Sequence, residues 1–428
     1  CVYAPPGQSP VNTIFAGSNT AGLWKTTDNG VHWQNLTDQL RLPGLGVIAI
    51  IAKPNGTEPP TTMYIGTGNT VGFFENYGVG VFKSTDGGNT WAATSLDYTA
   101  VEQQPIEKLM FDETDATYNT IYALGQSKLW KTTDGGINWQ NVTSTLTLQW
   151  DETFSGVEII PGLANTLVLS TKKHGWPYSG ANIYKSIDAG ATWQVISPNA
   201  SNMQNPAGYY FKTEAFHVDA STFAPGKIFA MYNDYEEITN AQGAIIGNTL
   251  HNKPYMSLDL ATPDAKWQVL NATVNTDVGF FGAGFEISDA DFSVIYSGKL
   301  CLQKSIDLGS SFLPALSSSA TTCPDSDDQH ADLRGFQIYT PNTGGVNDVI
   351  LIGTDGGVSK STDGGISWAN LNGSTLILTQ FYDITNSSAR PGIIAGGAQD
   401  NHTYLRQTNG QWSLYAYGDG GHTIMDAN

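Results

Sequence analysis

KTTDNGVHW, running from Lys25 to Trp33, decides the fold, because the same phrase returns five more times. The copies are KSTDGGNTW (Lys83 to Trp91), KTTDGGINW (Lys131 to Trp139), KSIDAGATW (Lys185 to Trp193), KSIDLGSSF (Lys304 to Phe312) and KSTDGGISW (Lys360 to Trp368). The aspartates, Asp28, Asp86, Asp134, Asp188, Asp307 and Asp363, are separated by 58, 48, 54, 119 and 56 residues. A fixed period of this size marks a repeat architecture. The 119-residue gap holds about two periods, so a decayed copy belongs inside it, from Met256-Ser257-Leu258-Asp259 to Trp267. A second decayed copy runs from Arg406 to Trp412. The result is eight units of roughly fifty residues.

Each unit repeats one internal order. An apolar run comes first, then a short β-branched and aromatic run such as Thr62 to Gly66 or Asp348 to Gly353. A third run leads into the Asp turn, and a fourth begins at the aromatic. Short strands, Gly/Asn/Asp turns and almost no helical period predict a four-stranded antiparallel blade. Blades repeated about an axis make a β-propeller, an all-β fold that hides most sheet edges. About seven to eight blades are expected, in units near 1–40, 46–97, 104–146, 155–198, 209–271, 282–316, 333–372 and 380–415, with 420–428 starting another. In the repeated turn, Ser/Thr and Asp side chains bond the turn's own amides and Gly supplies positive φ. The aromatics Trp33, Trp91, Trp139, Trp193, Phe312 and Trp368 are expected to wedge between blades. The six aspartates are therefore read as structural.

The phrase resembles the Asp-box, or BNR, repeat of sialidases, sortilin-type receptors and xyloglucanase-type glycoside hydrolases. The resemblance implies that the phrase is the turn between the third and fourth strands of each blade. It is strongest toward large secreted bacterial surface proteins with tandem propellers, where H-x-D, T-D-G-G, Q-D-N and G-D-G-G motifs recur in similar places.

Charge narrows the partners. The chain has 428 residues and a formal net charge of −19, with 14% charged residues. Such a field repels nucleic acid and anionic membranes. No run approaches the ~20 apolar residues of a membrane span. Cys301 and Cys323 flank a Ser/Thr-rich insertion and are candidates for a disulfide, two separate thiols being the alternative. Acidity, few lysines and several N-x-S/T sequons, together with the resemblance, favour an extracellular or cell-surface protein. Both ends read as cut strands. Either the last strand closes the ring with the first unit, or this is a segment of a longer protein; the second is preferred.

The box turns define one face, so the turns between second and third strands and the connections between blades define the other. Four motifs map there: His330-Ala-Asp332, Asp355-Gly-Gly357, Gln399-Asp400-Asn401-His402 and Asp419-Gly-Gly421. Asp332, Asp355, Asp400 and Asp419 are candidate acid or base groups for glycoside cleavage. With His330 and Gln399 they are equally candidates for sugar binding, and Asp332, Asp355 and Asp400 for Ca²⁺, which favours several oxygen ligands. The bland reading is that these residues only shape Gly-rich turns. Long excursions on the same face add Phe73, Phe74, Trp176 and Tyr178 as candidate ligand contacts.

Sialidase chemistry needs an arginine cluster, and only Arg41 occurs before Arg334. The expected function is a non-catalytic binding or scaffold module for a glycan or protein, needing no cofactor, with Ca²⁺ as an option. The alternative is a xyloglucanase-like glycoside hydrolase acting on a neutral polysaccharide. A second propeller or an anchoring domain of the same chain is a candidate partner.

Overall fold

Eight four-stranded antiparallel sheets follow one another along the chain, each pairing its strands in sequence order. The computed structural model describes every residue except 9, 43–44, 55–59, 70–77, 99–103, 174–179, 275–283, 299–300, 315–332, 341–347, 377, 399–400 and 426–428. No α-helix occurs among the described residues, and one 3₁₀ turn spans Asp38–Leu40. Blades 1 to 7 begin with the strands Val2–Tyr3, Val47–Ala52, Ile106–Phe111, Glu152–Ile159, Phe216–Asp219, Gly284–Ile287 and Leu333–Tyr339. The eighth sheet begins with Asp383–Asn386 and ends with Trp412–Ala416. The first strands of most neighbouring blades touch, which places them at the axis.

Seven apolar clusters fill seven interfaces. Phe15 and Leu23 of blade 1 pack with Ile50, Met63 and Phe82 of blade 2. The pattern continues to Tyr296 and Leu302 of blade 6 against Leu333 and Ile350 of blade 7. The seventh cluster joins Val349, Leu351 and Val358 of blade 7 to Val2, Ile14 and Trp33 of blade 1. Hydrogen bonds cross this seam from Ala4 N to Gln337 Oε1 (2.7 Å) and from Gly7 N to the Tyr339 hydroxyl (2.8 Å). The ring therefore has seven blades, closed by packing of whole blades rather than by a blade shared between the termini. The eighth sheet contributes no residue to any of these clusters.

The repeated phrase forms the same turn six times, between third and fourth strands. In blade 2, the Ser84 hydroxyl donates to Asp86 Oδ1 (2.9 Å) and accepts from Gly88 N (2.9 Å), while Asp86 Oδ1 also accepts from Thr90 N (2.9 Å). These bonds hold the aspartates ionised: hydrogen bonds from His32 take Asp28, and from Asn138 take Asp134, down to about 2. Gly88 sits at φ +91°, and a Cβ there would lie 2.6 Å from Leu36 Cδ1 of blade 1. Only glycine meets both the backbone and the space requirement.

The closing Trp reaches back and the opening Lys reaches forward. Indole Nε1 donates to the preceding blade from Trp33 (to Leu371 O, 2.7 Å), Trp91 (to Leu36 O, 2.9 Å) and Trp193 (to Val142 O, 2.8 Å). Lys83 Nζ donates to Gly135 O of blade 3 (3.0 Å), and Lys304 Nζ to Gly364 O of blade 7 (2.9 Å). Their stems lie over Tyr64 and Tyr296 of their own blades, with the ammonium 5.2 and 5.4 Å from the ring centres. The Lys role was not legible in the motif, because it points to a neighbour far away in sequence.

Blade 5 keeps the plan despite its decayed phrase. Trp267 is fully buried and donates to Ile196 O of blade 4 at 2.7 Å. Its long excursion between second and third strands is a hairpin of its own, Asp234–Thr239 with Ile245–Asn252. At the other end, Gly420 to Met425 form no strand; Gly420 N bonds Ala398 O at 3.0 Å instead.

Candidate functional site

The strand order sends every connection between blades, and every turn between second and third strands, to the face opposite the box turns. On that face the structure joins three of the four sequence motifs. The Asn401 amide donates to Asp355 O at 3.1 Å, linking the eighth sheet's turn to that of blade 7. His402, in a left-handed conformation at φ +70°, accepts at Nδ1 from Gly418 N (3.2 Å), and its ring meets Tyr417 edge-on at 5.3 Å. The loop carrying Asp419 is thereby seated on the turn that touches Asp355. Asp419 itself is exposed.

Asp355 is not an open carboxylate. Arg334 grips it with two parallel bonds, Nε to Oδ1 at 2.7 Å and a terminal nitrogen to Oδ2 at 2.5 Å. Fork-to-fork pairs of this kind fix both partners in place. No role for Arg334 was legible in the sequence. The register explains the pairing: Leu333 pairs with Thr354 and Gly335 with Gly353, which leaves Arg334 as the extra residue of a bulge beside the turn that carries Asp355.

A second polar group gathers where blade 3 passes to blade 4. Glu152, buried, accepts from Gln149 N (3.0 Å), the Thr171 hydroxyl (2.6 Å) and the Asn182 amide (3.3 Å). Beside it Lys173 pairs with Asp151 at 2.9 Å, both side chains nearly buried. Between these anchored residues Trp150 stands 94% exposed. Its neighbours fix the backbone, and none of the core clusters includes it. Further round, Tyr210 packs at a tilt against His251, ring centres 4.4 Å apart, and His251 pairs with Glu236 at 2.7 Å on the blade 5 hairpin. These aromatics were missed because none lies in a repeated motif.

His330, Asp332, Gln399, Asp400, Phe73, Phe74, Trp176 and Tyr178 lie outside the described residues. Cys301 is disulfide-bonded and Cys1 is free, while Cys323 lies outside the described residues. Among the described residues no group of three or more His, Cys, Asp or Glu side chains is placed to hold a metal ion, and no helix is long and apolar enough to cross a membrane.

No family model matches the chain. It is 25% identical over 234 residues to a xyloglucanase of Paenibacillus sp, a stretch covering 50% of this chain and 22% of the relative. It is 27% identical over 204 residues to Xyloglucanase Xgh74A of Acetivibrio thermocellus, covering 43% and 24%. The crystal structure of an ancestral GH74 enzyme superposes on 96% of this chain with a TM-score of 0.59 and 16% identity; that overlap is 53% of the enzyme. The matched stretches thus span under a quarter of the curated relatives' length. The chain is a β-propeller, similar in fold to a GH74 enzyme and in sequence to part of two xyloglucanases.

Proposed function

We propose that this propeller is part of a secreted, xyloglucanase-like glycoside hydrolase that takes a neutral glucan along the face opposite its box turns. The repeated turns are then Asp-boxes, whose Ser/Thr–Asp–Gly bonding they display. The relatives favour this enzymatic alternative over the purely non-catalytic module that composition and motifs suggested. The observation that carries it is Trp150, an indole without a packing role held on a buried polar base on that face. A flat, rigid aromatic surface of this kind suits the apolar face of a sugar ring.

Asp419, exposed, is the described carboxylate best placed to act on a substrate, and Asp355 orients the turn through Arg334 and Asn401. Asp332 and Asp400 are candidates for the second carboxylate. The eighth sheet supports a further reading, that it starts a second ring facing this one, since it is built like a blade yet adds nothing to the apolar clusters formed among the described residues. The test is reducing-end release from xyloglucan and mixed-linkage glucan, alongside oligosaccharide binding, with and without EDTA. Trp150→Ala is expected to weaken binding by about tenfold, the loss of one stacking contact. Asp419→Asn is expected to abolish release while binding persists. Binding without hydrolysis by the unmodified chain would restore the non-catalytic module, and neither binding nor hydrolysis would leave a scaffold.

A further inference from the structure

At four blade interfaces a box glycine faces an aliphatic side chain of the preceding blade. Gly30 lies against Leu371, Gly88 against Leu36, Gly190 against Val142 and Gly309 against Val274. Between blades 2 and 3 the rule breaks, and Gly136 faces Thr94. Trp139 answers the change by donating its indole N–H to the Thr94 hydroxyl at 3.2 Å, where Trp33, Trp91 and Trp193 reach backbone carbonyls. The fourth strand that carries Thr94 is unusual as well. Ala92–Asp97 has six residues against two in blades 1, 3, 4 and 7, and it opens with two alanines.

Beside Thr94 a cleft of about 350 Å³ opens on the box face, walled by Trp91, Ala93, Ser95, Gly136 and Ile137. That volume lies at the low end of small-molecule sites, which run to about 300–1,000 Å³. The Trp91 indole is partly exposed yet fixed at one edge, donating to Leu36 O at 2.9 Å. Thr85 and Ser95 add exposed hydroxyls that make no bond among the described residues. The neighbouring charges are already engaged: Lys83 donates to Gly135 O, and Asp86 accepts from the hydroxyls of Ser84 and Thr90. An indole beside open hydroxyls suits a neutral saccharide, whose ring is apolar on its face and polar at its edge. We infer that this cleft is a second glycan site, which takes a chain end or a side branch of a neutral saccharide. It lies opposite the face that carries Trp150, so it stands or falls apart from the hydrolase reading.

Isothermal titration of the full chain with cello-oligosaccharides and xyloglucan oligosaccharides tests this, using Thr94→Leu, Trp150→Ala and the double variant. Thr94→Leu installs the kind of side chain that the other interfaces carry, so the thermal midpoint is expected to hold or rise. It is expected to weaken binding in the cleft by at least about tenfold, in the Trp150→Ala background as well as alone. Ala93→Phe blocks the cleft from the exposed strand and is expected to repeat the loss without touching Trp139. Binding that survives Trp150→Ala but not Thr94→Leu establishes the cleft, whatever becomes of the opposite face. Binding that vanishes with Trp150→Ala alone keeps the opposite face and overturns the cleft. Equal binding by the unmodified, Thr94→Leu and Ala93→Phe chains, or no binding by any of them, overturns it too.

Discussion

Trp267 and Trp412 occupy the same place in their repeats, yet the first is fully buried and the second is 43% exposed. Trp267 enters blade 4 and donates to Ile196 O, whereas Trp412 stacks on Phe381 of its own repeat, centres 5.3 Å apart. Ile384, Leu414, Tyr415 and Tyr417 around it are exposed as well. The strands of the eighth sheet pair as well as those of any blade. Local sequence therefore suffices to form a unit's ladder, and burial comes only from a neighbour.

The largest test of that contrast is truncation of the two tryptophans. Trp267→Ala should destabilise the ring by about 3–5 kcal/mol, the usual cost of emptying a buried indole site. Trp412→Ala should change it by less than about 0.5 kcal/mol. Denaturant unfolding followed by circular dichroism measures both, and equal losses would mean the eighth sheet is integral to the ring. A middle effect lies in the turns. Ser84→Ala removes a buried hydroxyl that bonds Asp86 and Gly88, for about 1–3 kcal/mol. In the eighth sheet's turn Asn409, exposed and bonding Gln411 N, should cost under about 0.5 kcal/mol when replaced by Ala. The smallest effect concerns acid. Asp134 has its carboxyl lowered from 3.8 to about 2, so its contribution is present above 3.8 and lost as pH falls through about 2. Asp134→Asn should flatten the acid limb of a stability–pH curve in that window. The turn of the eighth sheet, which carries Asn409 in place of the aspartate, has no such limb.

The axial carboxylates Asp219 and Glu286 are a second acidic population, bonded to amides of the next blade. Their position explains why only one population was legible. Box aspartates meet partners within four residues, so the phrase itself discloses the turn and its internal bonding. Glu286 finds its partner at Ile338, 52 residues on, and nothing in GFEI marks it. Arg334 and Trp150 were hidden for the same reason. Asp355 was expected on the face opposite the box turns, while its pairing with Arg334 depends on a bulge in strand register.

The sequence by itself determined the unit: four strands, a box turn, a wedge, and which ends of the strands share a face. Those follow from contacts within some ten residues and from side chains with one physical use. Only the tertiary structure decided how many units make the ring, that blade 7 meets blade 1, and that the eighth sheet stands outside. Closure depends on the accumulated angle between neighbouring sheets and on whether two distant apolar faces fit. No single repeat encodes either quantity.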